Sequence, residues 1–267
     1  MFTDAHTTSS VCTPSRYSLL TGRYNWRTRL QGGVASAKGE PLIAPDRLTL
    51  GGLLQEQGYH TAIVGKWHLD YRHATPESLS GVEVSRRTGK RWPAPAPVGA
   101  KVVGGPTTRG FDTFYGFHHS RIMSSIVDGD TIVEEIDTVD VLPRLTERAV
   151  AYLEERAPAA RAGEPFFLYF PQSSPHTPII PAPAWRGQGK LGGTIPEQDR
   201  PVRPALFALC ECAPRRCKAP RSCYLGSWRE SPSFGGLRQP DRHPPLSRAD
   251  LSVPVGPTPV FLAGSWW

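Results

Sequence analysis

The stretch GYHTAIVGKWH, residues 58–68, decides the fold of this 267-residue chain. A leucine-faced helix, capped by Asp46 or Thr49 and running through Gln57, is predicted to lead into it, and the first glycine of the stretch is placed to end that helix. Residues 59–64 are an apolar, β-branched run that predicts a buried strand, with the polar GKWH segment at its carboxyl end. Helix, tight turn, strand and polar loop follow one another in open α/β sheets, which bind ligands at the carboxyl ends of their strands.

A second helix and strand repeat this order further along the chain. Residues 142–156 carry apolar side chains at every fourth position, which predicts an amphipathic helix. Residues 165–170 are an apolar strand that runs into the polar loop 172–178. Two β-strands with polar loops at their carboxyl ends indicate one α/β domain with a site along one edge of its sheet.

Two segments fall outside this pattern. Residues 71–109 are polar and rich in proline and glycine, which predicts a long surface loop or an inserted lobe. Residues 193–267 show neither helical nor strand periodicity and contain many isolated prolines. We expect an irregular tail there, either disordered or translated from another reading frame of the gene. The sequence therefore divides into residues 1–192 and residues 193–267.

Cys12 stands alone in the ordered part, at the start of the motif CTPSRYSLLTG, residues 12–22. A helix is predicted to begin near Thr13 or Pro14, so the cysteine lies where unpaired backbone N–H groups favour an anion. Arg16, one turn later, adds a guanidinium suited to a tetrahedral oxyanion. The plainer interpretation is an ordinary buried cysteine. The other four cysteines lie within residues 210–223, with a spacing unlike that of structural zinc sites.

The charge pattern and the hydropathy pattern exclude two classes of partner. The formal net charge is +7, but no run of Lys and Arg interleaved with aromatic residues marks a nucleic-acid groove. No stretch approaches the ~20 apolar residues needed to cross a bilayer. The first six residues lack the basic and apolar regions of a signal peptide. We therefore expect neither nucleic acid nor membrane as a partner.

Four separated segments resemble the sulfatases, in the order in which that family has them: residues 12–16, 58–69, 110–120 and 165–178. The resemblance covers residues 1–192 and points to arylsulfatase-type enzymes. It implies an alkaline-phosphatase-like α/β/α sandwich with a mostly parallel central sheet, incomplete in this chain. It also implies hydrolysis of sulfate esters of carbohydrates or aryl alcohols.

The resemblance implies a catalytic role for five residues, Cys12, Arg16, Lys66, His68 and His176. Cys12 would be oxidised by a formylglycine-generating maturation enzyme to formylglycine, whose hydrate attacks sulfur. Covalent catalysis of this kind divides one difficult step into two easier ones. Arg16 would hold the formylglycine oxygens, and His68 would be the base that triggers release of sulfate.

Lys66 and His176, together with Ser120, are also implied to bind the substrate. Lys66 would contact a sulfate oxygen as a point charge. His176 would bind sulfate and protonate the leaving alcohol, a role suited to an imidazole near neutral pH. Ser120 falls where the family has a serine that contacts a formylglycine hydroxyl. The adjacent His118 and His119 receive no role, because neighbouring residues in a strand point to opposite faces.

The resemblance also implies one divalent cation, calcium, bound through hard oxygen ligands. The oxygen derived from Cys12 is the one ligand that this sequence supplies. The family's Asp-Asp pair would precede Met1, and its Asp-Asn pair is absent from residues 193–267. We therefore expect a sulfatase fragment that is clipped at its N-terminus and replaced at its C-terminal end.

Two alternatives stay open at this point. A phosphonate or phosphate monoester hydrolase of the same superfamily can use the same cysteine signature. The chain could also be a non-catalytic product of a pseudogene. By analogy with the family, we expect the protein to be periplasmic or secreted, because sulfated polysaccharides lie outside the cytoplasm.

Overall fold

A six-stranded sheet forms the centre of the computed structural model, which describes residues 6–36, 39–73, 82–84, 91–93, 97–174, 176, 180, 183 and 260–265. Its strands are β1 His60–Lys66, β6 Thr113–Phe117, β7 Ser125–Asp128, β8 Thr131–Glu135, β9 Phe166–Gln172 and β10 Val260–Ser265. They lie in the order β10-β9-β1-β6-β7-β8. The first four strands in this order run parallel, and β7 and β8 are antiparallel additions. The predicted α/β class with a mostly parallel sheet is confirmed.

Helices cover both faces of this sheet. On one face α1, Cys12–Thr21, and α2, Leu50–Glu56, pack with Ile63 of β1. On the other face α3, Val141–Arg161, packs with Ala62 and Val64 of the same strand. Successive residues of β1 therefore enter opposite cores, as the pleat of a strand requires. The result is the expected α/β/α layering.

The predicted signals around β1 act as expected. Thr49 caps α2, because its Oγ1 accepts a hydrogen bond of 3.0 Å from the Gly52 N–H. Gly58 follows this helix with φ +81°, in the left-handed region that glycine adopts without strain. The chain then enters β1, which is two residues longer at its carboxyl end than the predicted strand and takes in Lys66.

The segment 71–109 contains short strands that the sequence did not predict. Two antiparallel ladders are present, β2 Arg72–His73 with β5 Val102–Val103, and β3 Val82–Val84 with β4 Arg91–Pro93. The residues between these strands that the structure leaves out are 74–81, 85–90 and 94–96. In the part of the chain that is described, no helix is long and apolar enough to cross a bilayer.

A strand also lies within residues 193–267, for which the sequence predicted irregular structure. β10 pairs in parallel with β9 from Val260 opposite Phe167 to Ser265 opposite Gln172. Six residues are enough for a short apolar strand, and the surrounding prolines obscured this signal. The expectation is corrected for these six residues. The rest of the segment lies outside the described residues, and the division at residue 192 stays a prediction.

Candidate active site

The carboxyl ends of β1, β6 and β9 meet at one edge of the sheet, because these strands are parallel. The residues that follow them gather there, and the first residue of α1 faces them. The Sγ of Cys12 lies 3.1 Å from Nδ1 of His68, although the two are 56 residues apart in sequence. The tertiary structure thus brings the predicted nucleophile to the predicted base.

His68 is held by three separate segments. Its backbone N–H donates to the His118 carbonyl over 2.8 Å, and its own carbonyl accepts from Oγ1 of Thr13 over 3.0 Å. Its ring Nε2 lies 3.1 Å from the carbonyl oxygen of Ala35, while Nδ1 faces Cys12. Its φ of +56° is rare for a residue with a side chain. Such a conformation persists where the surrounding contacts determine it completely, as they do here.

These contacts define the tautomer of the His68 ring. A backbone carbonyl can only accept a hydrogen bond, so Nε2 carries the proton that points to Ala35. Burial, and then the positive charge of Lys66, hold the pKa of His68 well below its usual value of 6.5. The ring is therefore neutral near pH 7, and Nδ1 presents a lone pair to the Cys12 side chain.

Arg16 and Lys66 place two positive groups in the interior beside Cys12. Both side chains are fully buried, and Nη1 of Arg16 donates to the Lys66 carbonyl over 2.6 Å. Burial, and then the charge of Arg16, lower the pKa of Lys66 to about 7, whereas the adjacent Cys12 raises it. Two positive groups placed side by side attract a negatively charged group, so this arrangement suits an anion.

His119 lies in the same cluster, although the sequence analysis assigned it no role. Its ring centroid lies 4.3 Å from that of His68, edge on, and the His118 ring lies 6.0 Å from His68. Both contacts are possible because β6 ends at Phe117, so the alternation of a strand does not continue through these histidines. Their position after a strand that neighbours β1 was the signal that could have revealed them.

The protonation of His119 follows from its surroundings. Burial, and then the charge of Lys66, lower the pKa of His119 to about 3. Its Nδ1 accepts a hydrogen bond of 3.0 Å from the backbone N–H of Arg121, so in the neutral ring Nε2 carries the proton. His119 is therefore a neutral hydrogen-bond donor beside Lys66 and His68 throughout the physiological pH range.

A buried carboxylate lies behind this cluster. Oδ1 of Asp70 is 3.1 Å from Nε2 of His118, and its Oδ2 is 3.2 Å from Nη2 of Arg29. Asp70 also has a left-handed backbone, with φ +59°. This contact joins the end of β1 to the segment after α1, which carries Ala35.

The structure places the other two predicted site residues at the same edge. Ser120 is 1% exposed, and its hydroxyl has no hydrogen-bond partner among the described residues. His176 is half-buried after β9, where its backbone N–H donates to the Ser173 carbonyl over 2.8 Å. His176 thus follows β9 at the edge of the sheet where β1 and β6 also end.

The calcium site implied by the sequence is not formed by the residues that the structure describes. Among them, no group of three or more His, Cys, Asp or Glu side chains is arranged to hold a metal ion. Cys12 has a histidine and two cations around it, which is not the oxygen-rich shell that calcium takes.

The fold is an α/β sheet whose parallel strands end beside a buried cluster that includes Cys12, Lys66 and His68. The chain belongs to the sulfatase family, because the family model described as Sulfatase matches residues 1–231. This confirms the family predicted from the four sequence segments. The match also extends beyond residue 192.

Individual relatives agree with this assignment. The chain is 30% identical over 230 residues to an N-acetylgalactosamine-6-O-sulfatase of Bacteroides thetaiotaomicron, covering 72% of this chain and 44% of that protein. It is 30% identical over 234 residues to arylsulfatase A of Bos taurus, covering 78% of this chain and 41% of that protein. The chain thus spans less than half the length of these curated relatives.

A solved structure supports the fold. It comes from work on the metabolism of multiple glycosaminoglycans by Bacteroides thetaiotaomicron, and it matches with a TM-score of 0.58 at 20% identity. The match covers 77% of this chain and 50% of the solved chain. At this identity the likeness concerns the fold, and it confirms the α/β/α architecture.

Proposed function

We propose that this chain carries the nucleophile and the anion pocket of a sulfuric ester hydrolase. The observation that supports this proposal best is the buried pair of cations, Arg16 and Lys66, beside Cys12. A sulfate ester carries negative charge on a tetrahedral group, which matches a guanidinium fork and a point charge placed together. The charge that develops in the transition state is stabilised by the same two groups.

Once converted to formylglycine, Cys12 would supply a hydrated aldehyde, with one hydroxyl to attack sulfur and a second to let sulfate leave. His68 is the base in this proposal. Its Nδ1 lone pair lies 3.1 Å from Sγ of Cys12, within reach of a hydroxyl on the same carbon. Its neutral state near pH 7 keeps that lone pair available.

The leaving alcohol needs a proton, and we assign this role to His176. The turn from Ser173 holds His176 at the same edge of the sheet as His119. Ser120, buried with its hydroxyl directed to no described partner, is assigned to a hydroxyl of the converted Cys12. Lys66 and His176 would together hold the sulfate oxygens.

The substrate that we propose is a sulfated carbohydrate. One relative is named for the removal of a 6-O-sulfate from N-acetylgalactosamine, and the solved neighbour comes from work on glycosaminoglycans. Because such polysaccharides lie outside the cytoplasm, we propose that the protein acts in the periplasm or after secretion.

Conversion and turnover are tested by producing the chain together with a formylglycine-generating enzyme. Peptide mass spectrometry should show that Cys12 has lost its sulfur and gained an aldehyde. The product should release sulfate from carbohydrate sulfate esters, and Cys12→Ala should not. An unmodified thiol, or faster hydrolysis of phosphate esters than of sulfate esters, would refute the proposal.

The anion pocket is tested without turnover by calorimetric titration with inorganic sulfate. We expect Lys66→Met to weaken sulfate binding about tenfold or more, because it removes a buried charge that contacts the anion. Lys101→Met is the matched control, since Lys101 is exposed and pairs with Asp130 at 2.7 Å. Equal affinities of the two variants for sulfate would contradict the assignment of Lys66.

A further inference from the structure

The Thr13 hydroxyl lies between the two segments that hold the His68 ring. Oγ1 of Thr13 donates to the His68 carbonyl over 3.0 Å and accepts from the Ala35 N–H over 3.1 Å. The Thr13 side chain is fully buried. One hydroxyl thus satisfies two backbone groups from segments that lie far from each other in sequence.

Ala35 also contacts the His68 ring directly. The carbonyl of Ala35 accepts the proton on Nε2 of His68 over 3.1 Å. Thr13 therefore ties down the residue that orients the ring, and it also ties down the backbone of the ring's own residue. A shift of either segment would move the acceptor away from Nε2.

The position of Thr13 in α1 links this bridge to the nucleophile. Cys12, the preceding residue, is the group that Nδ1 of His68 faces. The first turn of α1 thus supplies the Cys12 side chain, which the His68 ring contacts. It also supplies the Thr13 hydroxyl, which bonds the backbone of Ala35 and of His68 itself. Because Nδ1 must stay unprotonated to act as a base, the tautomer of the ring matters directly for the proposed reaction.

We propose that Thr13 is a positioning residue for His68. It keeps the His68 ring in the tautomer that has its proton on Nε2, with the lone pair of Nδ1 directed at the Cys12 side chain. Thr13 acts through backbone groups and does not touch the substrate. The consequence for turnover rests on the proposed function. The tautomer itself does not, since it is defined in the chain with an unconverted Cys12.

The tautomer is measured by ¹⁵N NMR on the unconverted full chain labelled at histidine, at pH 7.5, with the His68 signals assigned from a His68→Gln variant. Thr13→Val removes the hydroxyl and keeps the shape of the side chain. Thr13→Ser restores the hydroxyl. Thr21→Val is the matched control, because Thr21 lies in the same helix and its Oγ1 bonds the Tyr17 carbonyl at 2.7 Å.

We expect a single Nε2–H tautomer for the wild type, Thr13→Ser and Thr21→Val, and a mixture of both tautomers for Thr13→Val. A purely structural role of the hydroxyl would lower stability and leave the tautomer unchanged. Retention of one tautomer with wild-type shifts in Thr13→Val would therefore overturn the proposal. So would an Nδ1–H tautomer in the wild type, a result that does not depend on whether any variant folds.

A second readout applies to the converted enzyme. Thr13→Val should lower kcat by up to about a hundredfold, the size of effect that a misplaced catalytic group produces, with little change in KM. Thr13→Ser should recover most of kcat. If conversion of Cys12 fails, the NMR result still decides the positioning role, so the two proposals can fail separately.

Discussion

His119 makes a quantitative prediction about stability and pH. Burial and the charge of Lys66 lower its pKa to about 3 in the folded chain, whereas an unfolded histidine has a pKa of about 6.5. Below pH 6.5 the unfolded chain therefore binds a proton that the folded chain does not take up. The stability contributed by a neutral His119 is complete above pH 6.5 and is lost as the pH falls from 6.5 towards 3.

The magnitude follows from the distance to pH 6.5. At pH 5 the unfolded histidine lies about 1.5 pH units below its pKa, and each unit corresponds to about 1.4 kcal/mol, so His119 alone should lower the free energy of unfolding by about 2 kcal/mol. His119→Asn removes the titrating ring while its Oδ1 can still accept the Arg121 N–H, which donates to the ring over 3.0 Å in the wild type.

Urea unfolding at pH 8, 7, 6 and 5 measures this difference. Between pH 8 and pH 5 the wild type should lose about 2 kcal/mol more than His119→Asn. His6→Asn is the control, because it makes the same substitution at an exposed histidine. Its free energy of unfolding should change with pH as that of the wild type does. Parallel curves for the wild type and His119→Asn would refute the argument that a buried, neutral His119 resists protonation.

Three further predictions concern the residues around the site. Gly65→Ala should lower the free energy of unfolding in urea by about 2 kcal/mol or more, because the new Cβ would lie 2.4 Å from a carbonyl oxygen of β9. Gly163→Ala is the control, since Gly163 also has a positive φ but nothing within 4 Å of the new Cβ, and it should lower this free energy by less. Equal losses would argue against the clash. Asp70→Asn should cost about 1–3 kcal/mol by the same assay, since His118 then faces no carboxylate at 3.1 Å; an unchanged unfolding midpoint would contradict this. Lys66→Met should raise stability by about 1 kcal/mol, because it removes a buried charge, and a loss of stability would show that the charge is already compensated.

Much of the fold was predictable because its signals are local. Thr49 caps α2 through a contact three residues away, and Gly58 ends the same region with a positive φ. The apolar runs of β1 and β9 are continuous in sequence, so each identifies a strand without reference to the other. The residues at which these strands end were less predictable, because a strand ends where its hydrogen bonds to the neighbouring strands end.

The histidines after β6 show where local rules failed. The prediction that His118 and His119 point apart assumed that the strand continues through them. β6 ends at Phe117, and the chain then turns so that both rings contact His68. The residue at which a strand ends depends on the ladder with β1 and β7, which no single segment encodes.

By itself the sequence determined the chemical parts of this protein and their placement on the elements. The CTPSR motif puts Cys12 and Arg16 in the first turns of a helix, and the strand before Lys66 carries it to a sheet edge, because helix starts and strand ends follow from nearby residues. The tertiary structure alone decided what these groups can do. The partners of the His68 ring are Cys12 and Ala35, which lie 56 and 33 residues away in sequence. The tautomer of the ring, with no proton on Nδ1, therefore arises only when the folded chain brings those segments together.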